Sequence, residues 1–136
     1  MKYLLDTNTC IRHLNQRSPS ITRRLHALPE TDIVLCSVVK AELYTGAMKS
    51  NAPEKTFTAQ QAWAERFQSL PFDDGAVLFY ARIRAGLEQV GRSIGGNDLL
   101  IAAIALANDL TLVTHNTREF SRVADLRLED WEAEDR

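Results

Sequence analysis

The chain has very little cysteine, little net charge and no long apolar run. Its two cysteines, Cys10 and Cys36, stand in separate apolar stretches with no CxxC pair and no histidine at ligand spacing. That excludes a disulfide framework and a zinc knuckle and leaves both as small core hydrophobes. His13, His26 and His115 show no metal-ligand spacing among themselves. No stretch approaches the roughly twenty apolar residues of a membrane span, and the N-terminal run is too short for a secretory signal. The expectation is a soluble protein of a reducing, cytoplasmic compartment with no membrane partner. A net charge of −2 over 136 residues gives no bulk attraction to a polyanion, so nucleic-acid binding would rest on local basic groups or on metal ions. Repeats, linkers and low-complexity tracts are absent. What is present is a chain of 45% hydrophobic content, long enough to bury one core and too short for two ordinary domains. It reads as one domain over residues 1–136.

Apolar runs alternate with helical periodicities. Tyr3–Leu5, Ile33–Cys36 and Leu110–Thr114 read as buried parallel strands, which are apolar throughout because both faces are covered. Thr7 or Asn8 can cap a short helix carrying Ile11 and Leu14, and Ser18-Pro19-Ser20 opens a second with Ile21, Leu25 and Leu28, stopped by Pro29. Ser37 is placed to cap a helix from Val38 to Ser50, with Val39, Leu43 and Ala47 on one face and Glu42 beside them. Phe57, Trp63, Phe67 and Leu70 predict the apolar side of the next helix, broken at Pro71–Asp74 around a very short strand. Tyr80, Ile83, Leu87 and Val90 predict a helix over 76–90. After Gly91, Gly95 and Gly96, Asn97 and Asp98 are placed to cap the apolar helix 99–107. A polar loop from His115 enters one helical turn near Phe120, and 126–131 predicts a short edge strand before an acidic tail. Strands separated by helices predict an α/β fold with a mainly parallel sheet covered on both sides.

Asp6 stands where the first strand gives out, a position that faces the ligand crevice of an open α/β sheet. Glu42 follows the second strand by a turn and a half of helix, and Asp98 opens a helix apolar enough to be buried. Taken singly, Asp6 and Asp98 can be helix caps and Glu42 a solvated helix residue. Together they suggest a site for a hard divalent cation, because gathered carboxylates repel unless neutralised and such cations take oxygen ligands. Metal-assisted hydrolysis of a phosphate ester is the corresponding chemistry. The scattered arginines read mostly as solvated surface; Arg92 and Arg118, in loops flanking Asp98 and Asn116, are the two placed to meet a phosphate backbone.

Four blocks carry a family resemblance: Asp6-Thr7-Asn8, Ala41-Glu42-Leu43, the run Ile94-Gly95-Gly96-Asn97-Asp98-Leu99, and Leu112-Val113-Thr114-His115-Asn116-Thr117-Arg118-Glu119-Phe120. In order and spacing they resemble PIN-domain ribonucleases, specifically VapC-type toxins of toxin–antitoxin operons, over residues 1–131. The resemblance implies a three-layer α/β/α domain and an endoribonuclease dependent on Mg²⁺ or Mn²⁺, with Asp6 and Asp98 as metal ligands and Glu42 as third acid. Many PIN domains place a fourth acid after the last main strand, where this chain has Asn116 with Glu119 three residues on. Asn116 and Thr114 can hydrogen-bond a ligand but add no charge. Thr7, Asn8, Asn97, Arg92, Arg118 and Glu119 complete the candidate set. The Asn-Thr-Arg-Glu-Phe variant resembles a subgroup that cleaves initiator tRNA in the anticodon stem-loop, which blocks translation. The family also implies homodimerisation, inhibition by a VapB antitoxin that sends a basic side chain towards the acids, and contact with promoter DNA only through that antitoxin.

Other classes remain. An aspartyl-nucleophile phosphatase wants a second Asp where Asn8 stands, and a receiver wants a phosphoacceptor Asp with a positioned Lys that is absent here. A binding module that keeps the fold without turnover is separated from the nuclease by metal-dependent cleavage of total RNA.

Overall fold

The computed structural model describes residues 1–133; the end of the acidic tail lies outside the described residues. Five parallel strands form one sheet: β1 (Tyr3–Leu5), β2 (Ile33–Cys36), β3 (Gln68–Leu70), β4 (Thr111–Val113) and β5 (Leu128–Glu129). Their order is β3-β2-β1-β4-β5, with Leu4 paired to Val34 on one side and to Leu112 on the other. Helices α1 (Thr7–Leu14) and α2 (Pro19–Ala27) connect β1 to β2; α3 (Ser37–Met48) and α4 (Pro53–Ala64) connect β2 to β3. Helices α5 (Asp74–Gln89) and α6 (Gly96–Ala107) lead to β4, and α7 (Thr117–Phe120) to β5. The helices cover both sheet faces in an α/β/α arrangement. Among the described residues, no helix is long and apolar enough to cross a membrane.

The core follows the sequence pattern. All four residues of β2 are buried, as are Leu4, Leu5, Leu112 and Val113, and α6 buries Leu99 and every residue from Ile101 to Ala105. Both cysteines are buried thiols with no disulfide, and burial pushes each thiol pKa upward, Cys36 to about 11.

Several local expectations require correction. The helix expected to run through Phe67 and Leu70 ends at Ala64, and the short strand lies at Gln68–Leu70, before Pro71 rather than within 71–74. Phe67 and Leu70 are buried as predicted, but on a strand arm that pairs Leu35 with Ser69 and Cys36 with Leu70. Apolar spacing of three is shared by a helix face and by a helix-turn-strand junction, so periodicity cannot separate them. Ser37 is the first residue of α3 rather than its cap, which is Cys36. Asp6, rather than Thr7 or Asn8, caps α1. Likewise α6 starts at Gly96 after Gly95, placing Asn97 and Asp98 inside its first turn.

The connections around β1 and β4 fix where a site can form. β1 leads away to β2 on one side and β4 to β5 on the other, so the neighbouring carboxyl ends of β1 and β4 bound the crevice at which open α/β sheets bind ligands. Asp6 follows β1 immediately, and Thr114, His115 and Asn116 follow β4.

Candidate active site

Four segments bring their polar side chains to this crevice: the β1–α1 junction, α3, α6 and the β4–α7 loop. The Asp6 backbone N–H donates to the Val113 carbonyl at 3.0 Å, continuing the sheet by one residue. Its Oδ1 accepts the Thr9 N–H at 2.8 Å, so the carboxylate is fixed as the α1 cap. Glu42 projects from α3; the Thr7 hydroxyl donates to its Oε1 at 2.6 Å and the Asn97 amide to its Oε2 at 3.3 Å. Asp98 enters from the first turn of α6. Thr114 is fully buried, and its Oγ1 accepts the Asn116 N–H at 3.0 Å, which turns the chain so that Asn116 reaches the same space. The resulting crevice, about 110 Å³, is lined by Asp6, Thr7, Asn8, Glu42, Asp98 and Asn116, with Ile101 and Phe120 as its apolar wall.

Among the described residues no basic side chain lines this crevice, and the carboxylates feel the lack. Burial raises the Asp6 pKa even though hydrogen bonds from Thr114 and Thr9 pull the other way. Burial, and then the charges of Glu119, Glu42 and Asp6, push Asp98 up to about 6. The N-terminus of α6 offsets only part of this repulsion. A donor set of hard oxygens from three carboxylates and two amides, short of positive charge, fits a divalent cation of the Mg²⁺ or Mn²⁺ kind. Asp6 and Asp98 are the residues that would hold it.

The remaining candidates separate. Glu119 does not line the crevice but sits behind it: its Oε1 accepts the Gly95 N–H and its Oε2 the Asn116 amide, both at 2.8 Å. Those bonds, the Asn116 one foremost, lower the Glu119 pKa, and the resulting carboxylate is the largest charge acting on Asp98. Asn116, at the start of α7, makes no side-chain cap; its amide is spent on Glu119 instead. Arg92 and Arg118 line neither the crevice nor the adjoining cleft. Sequence reasoning missed the Glu119–Gly95 bond, which spans 24 residues and leaves no local pattern, and the wall formed by Ile101 and Phe120, indistinguishable in sequence from core. A wider apolar groove of about 410 Å³ along Phe79, Ile83, Leu87 and Leu106 shares no residue with the crevice and has no cluster of acids.

The chain has counterparts among known proteins. The PIN domain model matches residues 3–126. The chain is 38% identical over 133 residues to Ribonuclease VapC2 of Rickettsia felis, covering 97% of this chain and 99% of that protein. It is also 38% identical to the tRNA(fMet)-specific endonuclease VapC of Shigella flexneri, covering 96% and 98% respectively. Among solved structures, VapBC2 from Rickettsia felis bound to a promoter DNA fragment superposes with a TM-score of 0.89 at 38% identity, covering 96% of this chain and 99% of the matched chain. DNA-bound VapBC from Salmonella typhimurium gives 0.89 at 36% identity, with 96% and 98% covered. With the family model spanning nearly the whole chain and full-length relatives above one-third identity, the chain belongs to the PIN-domain family, in its VapC group.

Proposed function

We propose that this chain is a metal-dependent endoribonuclease, the toxin of a type II toxin–antitoxin pair. The observation that carries the reading is the crevice of Asp6, Glu42 and Asp98, which no basic side chain among the described residues lines. The ribonuclease names of the full-length relatives support it. Asp6 and Asp98 would hold Mg²⁺ or Mn²⁺, which when bound would polarise the scissile phosphate and make water a better nucleophile. Glu42, its orientation set by Thr7 and Asn97, takes the proton from the attacking water as oxygen adds to phosphorus and the ribose oxygen leaves. Asn8, and Asn116 through the amide hydrogen not donated to Glu119, hydrogen-bond the phosphate group. The substrate is initiator tRNA, the RNA named for the Shigella flexneri relative, and its loss stops translation in the cytoplasm. A VapB-type antitoxin neutralises the chain by placing a basic side chain against the crevice acids, and touches promoter DNA on behalf of the complex. The toxin acts as a homodimer.

The test is incubation of antitoxin-free protein with initiator tRNA and total RNA, with Mg²⁺, Mn²⁺ or EDTA. Discrete fragments that appear only with a free divalent cation are expected; no cation-dependent cleavage of any RNA would overturn the reading.

Asn116 gives a narrower expectation. Asn116→Asp supplies a charged oxygen at the crevice, so half-maximal activity is reached at lower cation concentration, by roughly threefold to tenfold. Asn116→Ala releases Glu119 and lowers the rate at saturating cation. Coincident Mg²⁺ and Mn²⁺ activation curves for wild type and Asn116→Asp would place Asn116 outside the reaction.

A further inference from the structure

Beside the acid crevice lies a second cleft of about 490 Å³, walled by Asn8, Ile11, Arg12, His115, Asn116 and Glu132. Asn8 and Asn116 line both spaces, so whatever occupies one is adjacent to the other. The crevice itself is anionic, and a polyanion needs positive charge close by. Among the described residues, Arg12 is the one arginine lining this continuous surface.

Its guanidinium is already oriented. Nε donates to Glu132 Oε1 at 2.5 Å and Nη2 to the Arg17 carbonyl at 3.1 Å, which leaves Nη1 outside both bonds. His115 is held in the same way: Nδ1 meets Asp130 Oδ2 at 3.0 Å and Glu132 Oε2 at 3.3 Å, leaving Nε2 to the cleft. The two acids are rigidly placed because Trp131 between them is buried, packs edge-on to Tyr3 at 5.3 Å and offers its carbonyl to the Ser20 hydroxyl. The ligand atoms of His115, Asp130 and Glu132 lie within 4.8 Å of one another. With a guanidinium already on Glu132, the group is an ion-pair network rather than an open metal site.

We infer that this cleft is an RNA subsite, in which Arg12 Nη1 binds a phosphate next to the scissile one while Ile11 and His115 line the path of the attached nucleotide. Glu132 fixes the Arg12 fork and also weakens its pull on the phosphate, so it moderates RNA affinity. The inference rests on the nuclease reading and extends it to how the strand is held. Arg12 and His115 here are positioning residues for the substrate.

The experiment measures binding and turnover separately. In the cleavage-deficient Asp98→Asn background, the affinity of an initiator-tRNA transcript falls about tenfold on adding Arg12→Ala, and the slope of log affinity against log salt becomes shallower by about one. Arg12→Lys recovers part of the loss. Glu132→Gln keeps the oxygen that accepts from Nε but removes its charge, and tightens binding about threefold. In the otherwise wild-type protein the same changes move KM and leave kcat within about twofold. Melting temperatures run alongside, since a merely structural ion pair predicts that Arg12→Ala and Glu132→Gln both lower stability and leave affinity and salt slope unchanged; that result overturns the subsite. Wild-type protein that cleaves RNA while Arg12→Ala binds it normally overturns the subsite alone, whereas wild-type protein that neither binds nor cleaves RNA overturns the nuclease reading and the subsite with it.

Discussion

Asp98→Asn is expected to remove RNA cleavage while making the metal-free protein more stable. The amide keeps the shape of the side chain and its place in the first turn of α6 but not the charge a cation needs. The rate should fall by roughly 10³-fold or more, the scale of the several kcal/mol that a bound cation contributes to phosphate chemistry. Stability moves the other way because folded wild type forces this carboxylate into a half-buried site facing Glu119, Glu42 and Asp6. At pH 8, after solvent screening is allowed for, the gain is about 1–2 kcal/mol, or a few degrees of melting temperature. Mg²⁺ or Mn²⁺ should raise the melting temperature of wild type and leave the variant nearly unmoved. Thermal unfolding and RNA cleavage on the same preparations decide the matter: a variant that cleaves at the wild-type rate, or that is less stable without metal, contradicts this account of the crevice.

The pH dependence has two opposite signs. Folded Asp98 keeps its proton up to about pH 6, whereas in the unfolded chain it loses it near 3.8. Between these values the folded state binds more protons than the unfolded state, so this group's contribution to the stability of the metal-free protein falls as pH rises from about 4 to about 6 and is level above. Cation binding requires the ionised carboxylate, so apparent Mg²⁺ or Mn²⁺ affinity is level above about pH 6 and loses about tenfold per pH unit below it. Cation titrations of activity at pH 5, 6, 7 and 8, with melting curves in EDTA at the same values, show both trends. An affinity unchanged between pH 5 and 7 would mean that Asp98 is not a ligand.

How much of this was legible in the sequence depends on the range of each interaction. β1, β2 and β4 could be read directly because a strand buried on both faces must be apolar at every position, and Ile33-Val34-Leu35-Cys36 is. β3 could not, because Gln68-Ser69-Leu70 lies at a sheet edge and has only one strong apolar residue. Helix starts were misplaced by one to three residues wherever a side-chain cap was expected and the backbone supplied the first turn instead, as at Cys36 and Gly95. For the crevice, Asp6 was marked by its place at a strand end and Asp98 by the apolar helix it opens. Glu42 has no such mark beyond its distance from β2, and its neighbours Thr7 and Asn97, 35 and 55 residues away, are known only from the fold. The pairing of Arg12 with Glu132 closes a separation of 120 residues; no window of sequence contains it.

The place of β4 beside the central strand β1 also bears on how the chain is made. β1 pairs with β4 across more than a hundred residues of sequence, and Asp6 takes its backbone partner from Val113. A ribosome that has released only the first ninety residues has exposed Asp6 and Glu42, but neither Asp98 nor the strand that flanks β1 on its other side. The acids therefore come together only at the end of synthesis, when almost the whole chain has left the exit tunnel. Truncated products lack an assembled crevice, so under the proposed toxin reading a half-made chain has no site with which to cut RNA.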